Sequence, residues 1–238
     1  MADLPALPSD EVLTAEGLDA ELEELRAAPA QAEGTQAGAR TLIIACGALA
    51  REILAVIRAN ALDELSLTCL PALLHNRPEK IAPAVREKIA AARAAGIDRI
   101  FVAYADCGTG GALDRVCAEE GVARIDGPHC YAFFDGLEAF AQRAEDEIGT
   151  FYLTDFLARQ FDTLVWSGMG LDRHPELRDM YFAHYDRVVY LAQTENPALT
   201  EAARAAADRL GLAFERRFTG YGGLAQALIG ARPAPPGR

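Results

Sequence analysis

The chain has 238 residues, 51% of them apolar, which is enough for one large domain or two small ones with a sizeable core. Its formal net charge is −12 and it carries no basic stripe, which argues against nucleic-acid binding. No apolar run reaches the roughly 18 to 20 residues needed to cross a bilayer, and the N-terminus lacks the features of a secretion signal. We therefore expect a cytoplasmic protein with no nucleic-acid or membrane partner.

Residues 1–38 are predicted to form an acidic, largely disordered leader. Residues 1–40 hold nine Asp or Glu and only two Arg, and prolines interrupt both ends of the segment. Between the prolines, Leu18, Leu22 and Leu25 recur at helical spacing. Two interpretations are open: a solvated, partly helical arm, or a helix that docks a partner.

Residues 39–230 are predicted to form an α/β domain, because short apolar runs alternate with helical patterns. The predicted strands are 41–45, 65–70, 98–103, 122–125, 163–166, 187–192 and 213–217. The predicted helices are 48–59, 78–95, 112–120, 134–147, 154–161 and 197–210.

This alternation predicts a parallel, Rossmann-like, doubly wound sheet flanked by helices. One continuous domain and two α/β halves that meet near residue 150 are both compatible with it. Residues 231–238 are rich in proline and are predicted to be a disordered tail.

The five cysteines are the main candidates for chemistry. A reducing compartment favours free thiols, metal ligands or catalytic groups over disulfides, and no Cys-x-x-Cys pair is present. Cys117 lies inside a predicted helix and is interpreted as a small core residue. The other four lie at or just after the ends of predicted strands, so in a parallel sheet they are expected to converge at one edge: Cys46, Cys69, Cys107 and Cys130.

A metal site is one interpretation of these thiols, because thiolate and imidazole ligands suit zinc, iron–sulfur clusters and other soft metals. In extended backbone, His129 and Cys130 would point in opposite directions, so both bind only if Gly127-Pro128 turns the chain inward. For each thiol, the alternative is a buried apolar residue. The predicted metal ligands are Cys46, Cys69, Cys107, Cys130 and His129.

A glycine-rich loop follows the third predicted strand and precedes a helix. Its backbone N–H groups could bind a phosphate or a carboxylate, or lower the pKa of Cys107. The loop is neither a Walker loop nor a full dinucleotide fingerprint, and a tight turn with no ligand is the alternative. The predicted anion- or cofactor-binding residues are Gly108, Thr109, Gly110 and Gly111.

Three residues are predicted to be catalytic: Cys107, Asp106 and His174. Asp106 could serve as a general base, as the partner of a histidine, or only as the cap of the following helix. His174 lies in the crowded loop 172–176, which could form an acid–base pair or only an arginine–carboxylate pair that holds the loop together.

Several motifs in one order, spread over residues 42–223, resemble the bacterial and archaeal family of unknown function 1638 (DUF1638). They are ACGALARE (45–52), LHNRPE (74–79), YADCGTGG (104–111), GPHCY (127–131), TFYLTDFLARQFD (150–162) and GLDRHPEL (170–177). The resemblance implies a context rather than an activity. Members of the family accompany corrinoid-dependent methyltransferases, including split forms of cobalamin-dependent methionine synthase.

Three hypotheses follow. The leading one is an accessory protein of corrinoid-dependent methyl transfer that supports methionine synthesis. It would use a Cys/His site for reactivation, or to load or deliver a methyl group or the corrinoid itself. It implies a corrinoid protein or methyltransferase as partner, with cobalamin on this chain or on that partner, and zinc or an iron–sulfur cluster as a further cofactor. The second is an independent α/β enzyme that acts on a small anionic metabolite through Cys107. The third is a non-catalytic adaptor that binds a methyltransferase.

Overall fold

The structure is a computed structural model that describes residues 7–18 and 40–231. The chain divides into two compact units, one comprising Met1–Cys130 and Leu224–Arg238 and the other Tyr131–Gly223. Each unit contains a parallel sheet with helices, which confirms the α/β class. The division falls after Cys130, about twenty residues before the predicted position. The predicted tail beyond residue 231, and Leu22 and Leu25 of the leader, lie outside the described residues.

The first unit is built on four strands in the order β2-β1-β3-β4, and every neighbouring pair is parallel. These strands are β1 (Thr41–Cys46), β2 (Leu65–Leu70), β3 (Ile100–Ala103) and β4 (Ala123–Arg124). All six residues of β1 are buried, as expected for a continuous apolar run at the centre of a parallel sheet. In the pairing register, Ala45 stands opposite both Cys69 of β2 and Ala103 of β3.

In its described residues, the first unit has one helix before β1 and three that connect its strands. They are α1 (Asp10–Ala15), α2 (Ala50–Ala59), α3 (Ile81–Ala94) and α4 (Ala112–Glu119), with 3₁₀ turns at Gly47–Leu49, Ala72–Asn76 and Pro78–Lys80. Pro78 therefore begins a 3₁₀ turn, and α3 itself begins three residues later than predicted. No helix in the described part of the chain is both long and apolar enough to cross a membrane.

Part of the predicted solvated leader is packed against the first unit, which corrects that prediction for residues 10–18. The side chain of Leu13 in α1 is completely buried. Leu18 pairs with Cys69 as an isolated antiparallel bridge, in which each backbone N–H donates to the other's carbonyl, at 2.9 and 3.0 Å. This short segment therefore lies along the outer edge of β2.

The second unit has three parallel strands in the order β5-β6-β7. They are β5 (Thr150–Leu153), β6 (Arg187–Ala192) and β7 (Ala213–Phe218). The helices are α5 (Ala132–Asp135), α6 (Leu137–Arg143), α7 (Asp155–Arg159), α8 (Leu177–Tyr181), α9 (Pro197–Leu210) and α10 (Gly222–Gly230). From Leu224 onward, α10 belongs to the first unit.

The predicted strand 163–166 is wrong, because Phe161–Trp166 forms a π-helical turn. Leu164 and Val165 are buried, so the apolar side chains of this run pack in the core although the run does not pair in a sheet. A short apolar run of this kind does not distinguish a buried strand from a buried helical turn. The strand β5 was not predicted from the sequence.

A buried carboxylate ties together the carboxyl ends of β5 and β6. Asp155 is 1% exposed, and its carboxylate accepts hydrogen bonds from the Tyr190 hydroxyl at 2.6 Å, the Gln193 backbone N–H at 3.0 Å and the Thr194 hydroxyl. Its own backbone N–H donates to the side-chain oxygen of Gln193 at 2.7 Å. Because its acceptor sites are used within the fold, we assign this network to stability.

Candidate thiolate site

The candidate site lies where the strand order of the first unit reverses. The chain passes from β1 outward to β2 on one side, and from β3 outward to β4 on the other. At such a switch point, the carboxyl ends of adjacent parallel strands leave a crevice in which α/β proteins bind ligands. Cys46 ends β1, and the segment that contains Cys107 follows β3.

Two of the predicted site cysteines are in direct contact. The Sγ atoms of Cys107 and Cys130 lie 3.3 Å apart. Two backbone hydrogen bonds hold their segments side by side, from the Asp106 N–H to the Gly127 carbonyl at 3.0 Å and from the Cys107 N–H to the Pro128 carbonyl at 2.8 Å. The segment 127–130 therefore runs beside the loop that follows β3, as the predicted turn at Gly127-Pro128 requires.

Cys107 is positioned by an unusual backbone conformation. Its φ is +47°, in the left-handed region that non-glycine residues seldom adopt. Such a conformation costs free energy, on the order of 1 kcal/mol or more, and tends to persist where the surrounding structure fixes it. The two backbone hydrogen bonds from Asp106 and Cys107 supply that constraint here.

Cys107 is the anionic group of the site. The hydrogen bond from the Cys130 thiol lowers the pKa of Cys107 most, and burial opposes this effect. Hydrogen bonds from the His129 side chain and the Cys130 backbone N–H lower the pKa further, and so does the electrostatic effect of His75. The net pKa is about 5, so Cys107 is a thiolate at neutral pH. The same contact with Cys107, followed by burial, raises the pKa of Cys130 well above its ordinary value. The pair therefore holds one proton, on Cys130.

Cys46 and Tyr104 form the neutral side of the site. They follow directly after Ala45 and Ala103, which are opposite each other in the sheet. Burial raises the pKa of Cys46 to about 11, and the Cys107 charge adds to this against hydrogen bonds from Ala48 and Tyr104. Burial raises the pKa of the completely buried Tyr104 most, and the neighbouring thiol groups of Cys46, Cys130 and Cys107 raise it further. At neutral pH, one thiolate is thus surrounded by protonated groups.

His75 is a site residue that the predicted ligand and catalytic sets did not include. Burial lowers its pKa, the thiolate of Cys107 raises it, and the neighbouring His129 lowers it again. Both imidazoles therefore act on the same sulfur. The sequence signal was the position of His75 in a loop after the strand that carries Cys69. Tyr104, also missed, is marked only by its position just after β3.

Cys69 does not join the other thiols, which corrects the predicted convergence of four cysteines. It is paired with Ala45, whereas Cys46 is paired with Leu70. Because successive side chains of a strand point to opposite faces, Cys69 projects from the face opposite to Cys46. Within residues 7–18 and 40–231, no group of three or more His, Cys, Asp and Glu side chains is arranged to hold a metal ion.

The glycine-rich loop binds its own carboxylate. The Asp106 side chain accepts hydrogen bonds from the Thr109 hydroxyl, from the Gly110 N–H at 3.1 Å and from the Gly111 N–H at 2.8 Å. Burial raises the pKa of Asp106, but these hydrogen bonds outweigh it and the net pKa lies below the ordinary value. The geometry therefore favours the cap interpretation of Asp106 over general-base work.

The same hydrogen bonds decide between the alternatives for the loop. The amides of Gly110 and Gly111, which were predicted to bind an external anion, are already engaged by Asp106. The N–H of Thr109 donates to the Asp106 carbonyl at 2.9 Å. Gly108 has a φ of +86° and would place a Cβ 3.5 Å from Pro78. This geometry is that of a closed turn and not of an anion cradle.

His174, the third predicted catalytic residue, belongs to the second unit. Its side chain is 60% exposed, and its Nδ1 lies 3.3 Å from an oxygen of Glu176. The first-unit cluster therefore takes its imidazoles from His75 and His129. A catalytic role for His174 stays a prediction.

Comparison with known proteins gives one match. A family model described as "Protein of unknown function (DUF1638)" matches residues 69–228. No curated protein and no solved structure matches the chain. Cys107, Cys130, His75 and His129 lie within the matched region, and Cys46 lies before it.

Proposed function

The chain belongs to the DUF1638 family, whose description assigns no activity, and from its thiolate site we propose that it is a cytoplasmic accessory protein of corrinoid-dependent methyl transfer, acting through Cys107 in support of methionine synthesis. The observation that carries the proposal is the contact between the Cys107 and Cys130 sulfurs at the switch point of the first sheet. The family resemblance supplies the corrinoid context.

A thiolate with a pKa of about 5 fits methyl-transfer chemistry for two reasons. It is ionised at neutral pH without a metal, and sulfur is an intrinsically strong nucleophile toward carbon. Cys130 holds the proton next to it and donates the hydrogen bond that keeps Cys107 ionised. Cys107 is thus the proposed nucleophile, and Cys130 stabilises its ionised form.

The corrinoid is assigned to a partner protein. When bound there, it supplies a methyl group for transfer, and this chain supplies the soft thiolate of Cys107 that suits such chemistry. Zinc and iron–sulfur clusters fit less well, because Cys69 lies on the other face of the sheet and the described residues form no three-ligand group. The proposal therefore needs no metal ion on this chain.

An independent enzyme for a small anionic metabolite would use the same Cys107. It would need another anion site, however, because the predicted glycine loop is engaged by Asp106. A non-catalytic adaptor would not need the thiolate at all. The independent enzyme therefore needs Cys107 but no corrinoid partner, whereas the adaptor needs a methyltransferase partner but not Cys107.

Genetic complementation in the source organism tests the proposal. We expect a strain that lacks the gene to require methionine, or to fail on methylated substrates, and the wild-type gene to restore growth. Cys107→Ser should not restore growth, whereas Cys117→Ala, which removes the cysteine inside α4, should. Soluble protein levels of each variant, measured by immunoblot, control for loss of folding.

Two results would overturn the proposal in different ways. Normal growth of the deletion strain on both media would remove the corrinoid function. Full rescue by Cys107→Ser would show that the function does not need the thiolate, and would favour the hypothesis of a non-catalytic adaptor. A visible spectrum and metal analysis of the protein purified without air would then show whether this chain itself carries a corrinoid or a metal.

A further inference from the structure

The pair Cys107 and Cys130 has the spatial arrangement of a dithiol that can be oxidised. Their sulfurs, at 3.3 Å, are closer than a buried pair needs to be for packing alone. A disulfide bond has a length of about 2.05 Å, so closure requires the sulfurs to approach by little more than 1 Å. Side-chain rotation can supply most of that movement.

The surrounding backbone favours closure within one chain. The two hydrogen bonds from Asp106 and Cys107 to the segment 127–128 fix the neighbouring backbones before any bond forms. Only 23 positions separate the cysteines in sequence, and the hydrogen-bonded turn keeps them together in the folded protein. The intramolecular reaction therefore starts from reactants that are already positioned.

The other thiols are less suitable partners. Cys46 is 5% exposed and accepts a hydrogen bond from Tyr104, and Cys69 points from the opposite face of the sheet. Cys117 lies within α4, among the buried residues of that helix. Cys130, in contrast, is only half-buried and touches Cys107 directly.

We propose that Cys107 and Cys130 form a peroxide-oxidisable dithiol that closes to an intramolecular disulfide. This inference needs no corrinoid and no methyl donor, so it goes beyond the proposed function. If both hold, oxidation removes the thiolate on which methyl transfer depends, and reduction by a dithiol restores it.

The chemistry balances with a hydroperoxide as the oxidant. The Cys107 thiolate attacks the terminal oxygen of hydrogen peroxide, an S–O bond forms, the O–O bond breaks, and the leaving hydroxide takes a proton to become water. The Cys130 sulfur then attacks the Cys107 sulfenic acid, forming the S–S bond and releasing hydroxide. That hydroxide takes the Cys130 proton, so two thiols and one peroxide give one disulfide and two waters.

Mass spectrometry of the full-length protein tests this proposal. Reduced protein is treated with hydrogen peroxide, its remaining thiols are blocked with iodoacetamide, and peptides are mapped without reduction. We expect a cross-linked peptide pair that joins Cys107 to Cys130, with the loss of two hydrogen atoms, and its disappearance after treatment with dithiothreitol. Cys117→Ala, as the matched control, should form the same cross-link.

The two cysteine variants separate the two steps. Cys130→Ser should stop at the sulfenic acid, which dimedone traps on Cys107, and Cys107→Ser should give neither the adduct nor the cross-link. A disulfide from Cys107 to Cys46, or over-oxidation of Cys107 with no cross-link in the wild type, would overturn the proposal. Because the wild-type map is decisive by itself, misfolding of a variant does not obscure the result.

Discussion

The thiolate of Cys107 accepts a hydrogen bond from the thiol of Cys130, 3.3 Å away, so the two cysteines share a single proton at neutral pH. This asymmetry makes one sulfur reactive and leaves its neighbour as a donor. It can be measured directly, because alkylation rates follow the thiolate fraction.

The first prediction concerns the pH dependence of Cys107. Since its pKa is about 5, alkylation by iodoacetamide should be half-maximal near pH 5 and should fall below that value as the thiolate protonates. Between about pH 6.5 and 8 the rate should be nearly constant, whereas an ordinary thiol gains about tenfold per pH unit there. Peptide mapping after short reaction times gives the rate at this one cysteine.

Cys46 supplies an internal comparison, because its pKa is about 11 and its alkylation should stay slow across that range. A Cys107 rate that rises tenfold per unit through neutral pH would contradict the assignment of the thiolate.

The second prediction concerns the source of the low pKa. The Cys130 thiol is the largest cause, so Cys130→Ala should move the alkylation midpoint of Cys107 upward, by about one to two pH units for a hydrogen bond to a charged group. Cys130→Ser keeps a hydroxyl donor and should move it less. An unchanged midpoint in Cys130→Ala would mean that His129 and the backbone set the pKa.

The third prediction concerns the glycine-rich turn. Asp106→Asn replaces one carboxylate oxygen by an NH₂ group that cannot accept, so either the Gly110 N–H, or the Thr109 hydroxyl together with the Gly111 N–H, loses its acceptor. We expect a loss of about 1–3 kcal/mol in the free energy of unfolding, measured by urea denaturation at neutral pH. Because the folded-state pKa of Asp106 is lowered, its carboxylate stabilises the fold above the ordinary value of 3.8 and this advantage disappears as the pH falls below it.

Asp126→Asn is the matched control, since that side chain is 90% exposed and should change stability little. Equal stabilities for the two variants would show that the turn does not depend on the Asp106 carboxylate.

The fourth prediction tests the packing of residues 10–18. A Cβ on Gly47 would lie 2.3 Å from the backbone oxygen of Leu13, so Gly47→Ala should push α1 away. Hydrogen exchange should then accelerate at the backbone N–H of Leu18, which donates to Cys69 in the native fold. In Gly230→Ala a Cβ would meet no atom within 4 Å, so exchange at Leu18 should not change. If exchange at Leu18 in Gly47→Ala stayed as slow as in the wild type, it would contradict the packing of residues 10–18 against the first unit.

The fifth prediction concerns the second unit. Asp155→Ala leaves the buried Tyr190 hydroxyl and the Gln193 N–H without their acceptor and should lower the free energy of unfolding by about 2–4 kcal/mol. Asp208→Ala, at an exposed position on α9, should leave stability nearly unchanged. Differential scanning calorimetry compares the two. A similar effect of both changes would show that the Asp155 network contributes little.

The sequence predicts most of the strands of the first unit, because β1 and β2 are short apolar runs that end beside Gly47 and Pro71 and β3 is an apolar run as well. It does not predict how the side chains are divided between the two faces. Cys46 and Cys69 both lie at strand ends, yet the register places Ala45 and not Cys46 beside Cys69. A shift of one residue in the pairing would have placed both sulfurs on one face, and no pattern in the sequence fixes that shift.

In the second unit the sequence signals conflicted. Residues 163–166 have the composition of a strand but complete a π-helical turn, while β5, which contains Phe151 and Tyr152, follows a glycine and was not recognised. For the glycine loop, the structure favours the alternative of a tight turn without a ligand, and the sequence could not decide this. Whether amides bind a ligand or the protein's own carboxylate depends on the rotamer of Asp106, which is a tertiary property.

The division of the chain has a consequence for its synthesis. The unit that bears the thiolate includes residues from Leu224 onward, among them the completely buried Leu224 and Leu228. During translation the chain emerges from its N-terminus, so this unit is complete only after the second unit has emerged. Until then the nascent chain lacks the part of the first unit's core that Leu224 and Leu228 supply. The unit whose strands emerge first is therefore the later of the two to be complete.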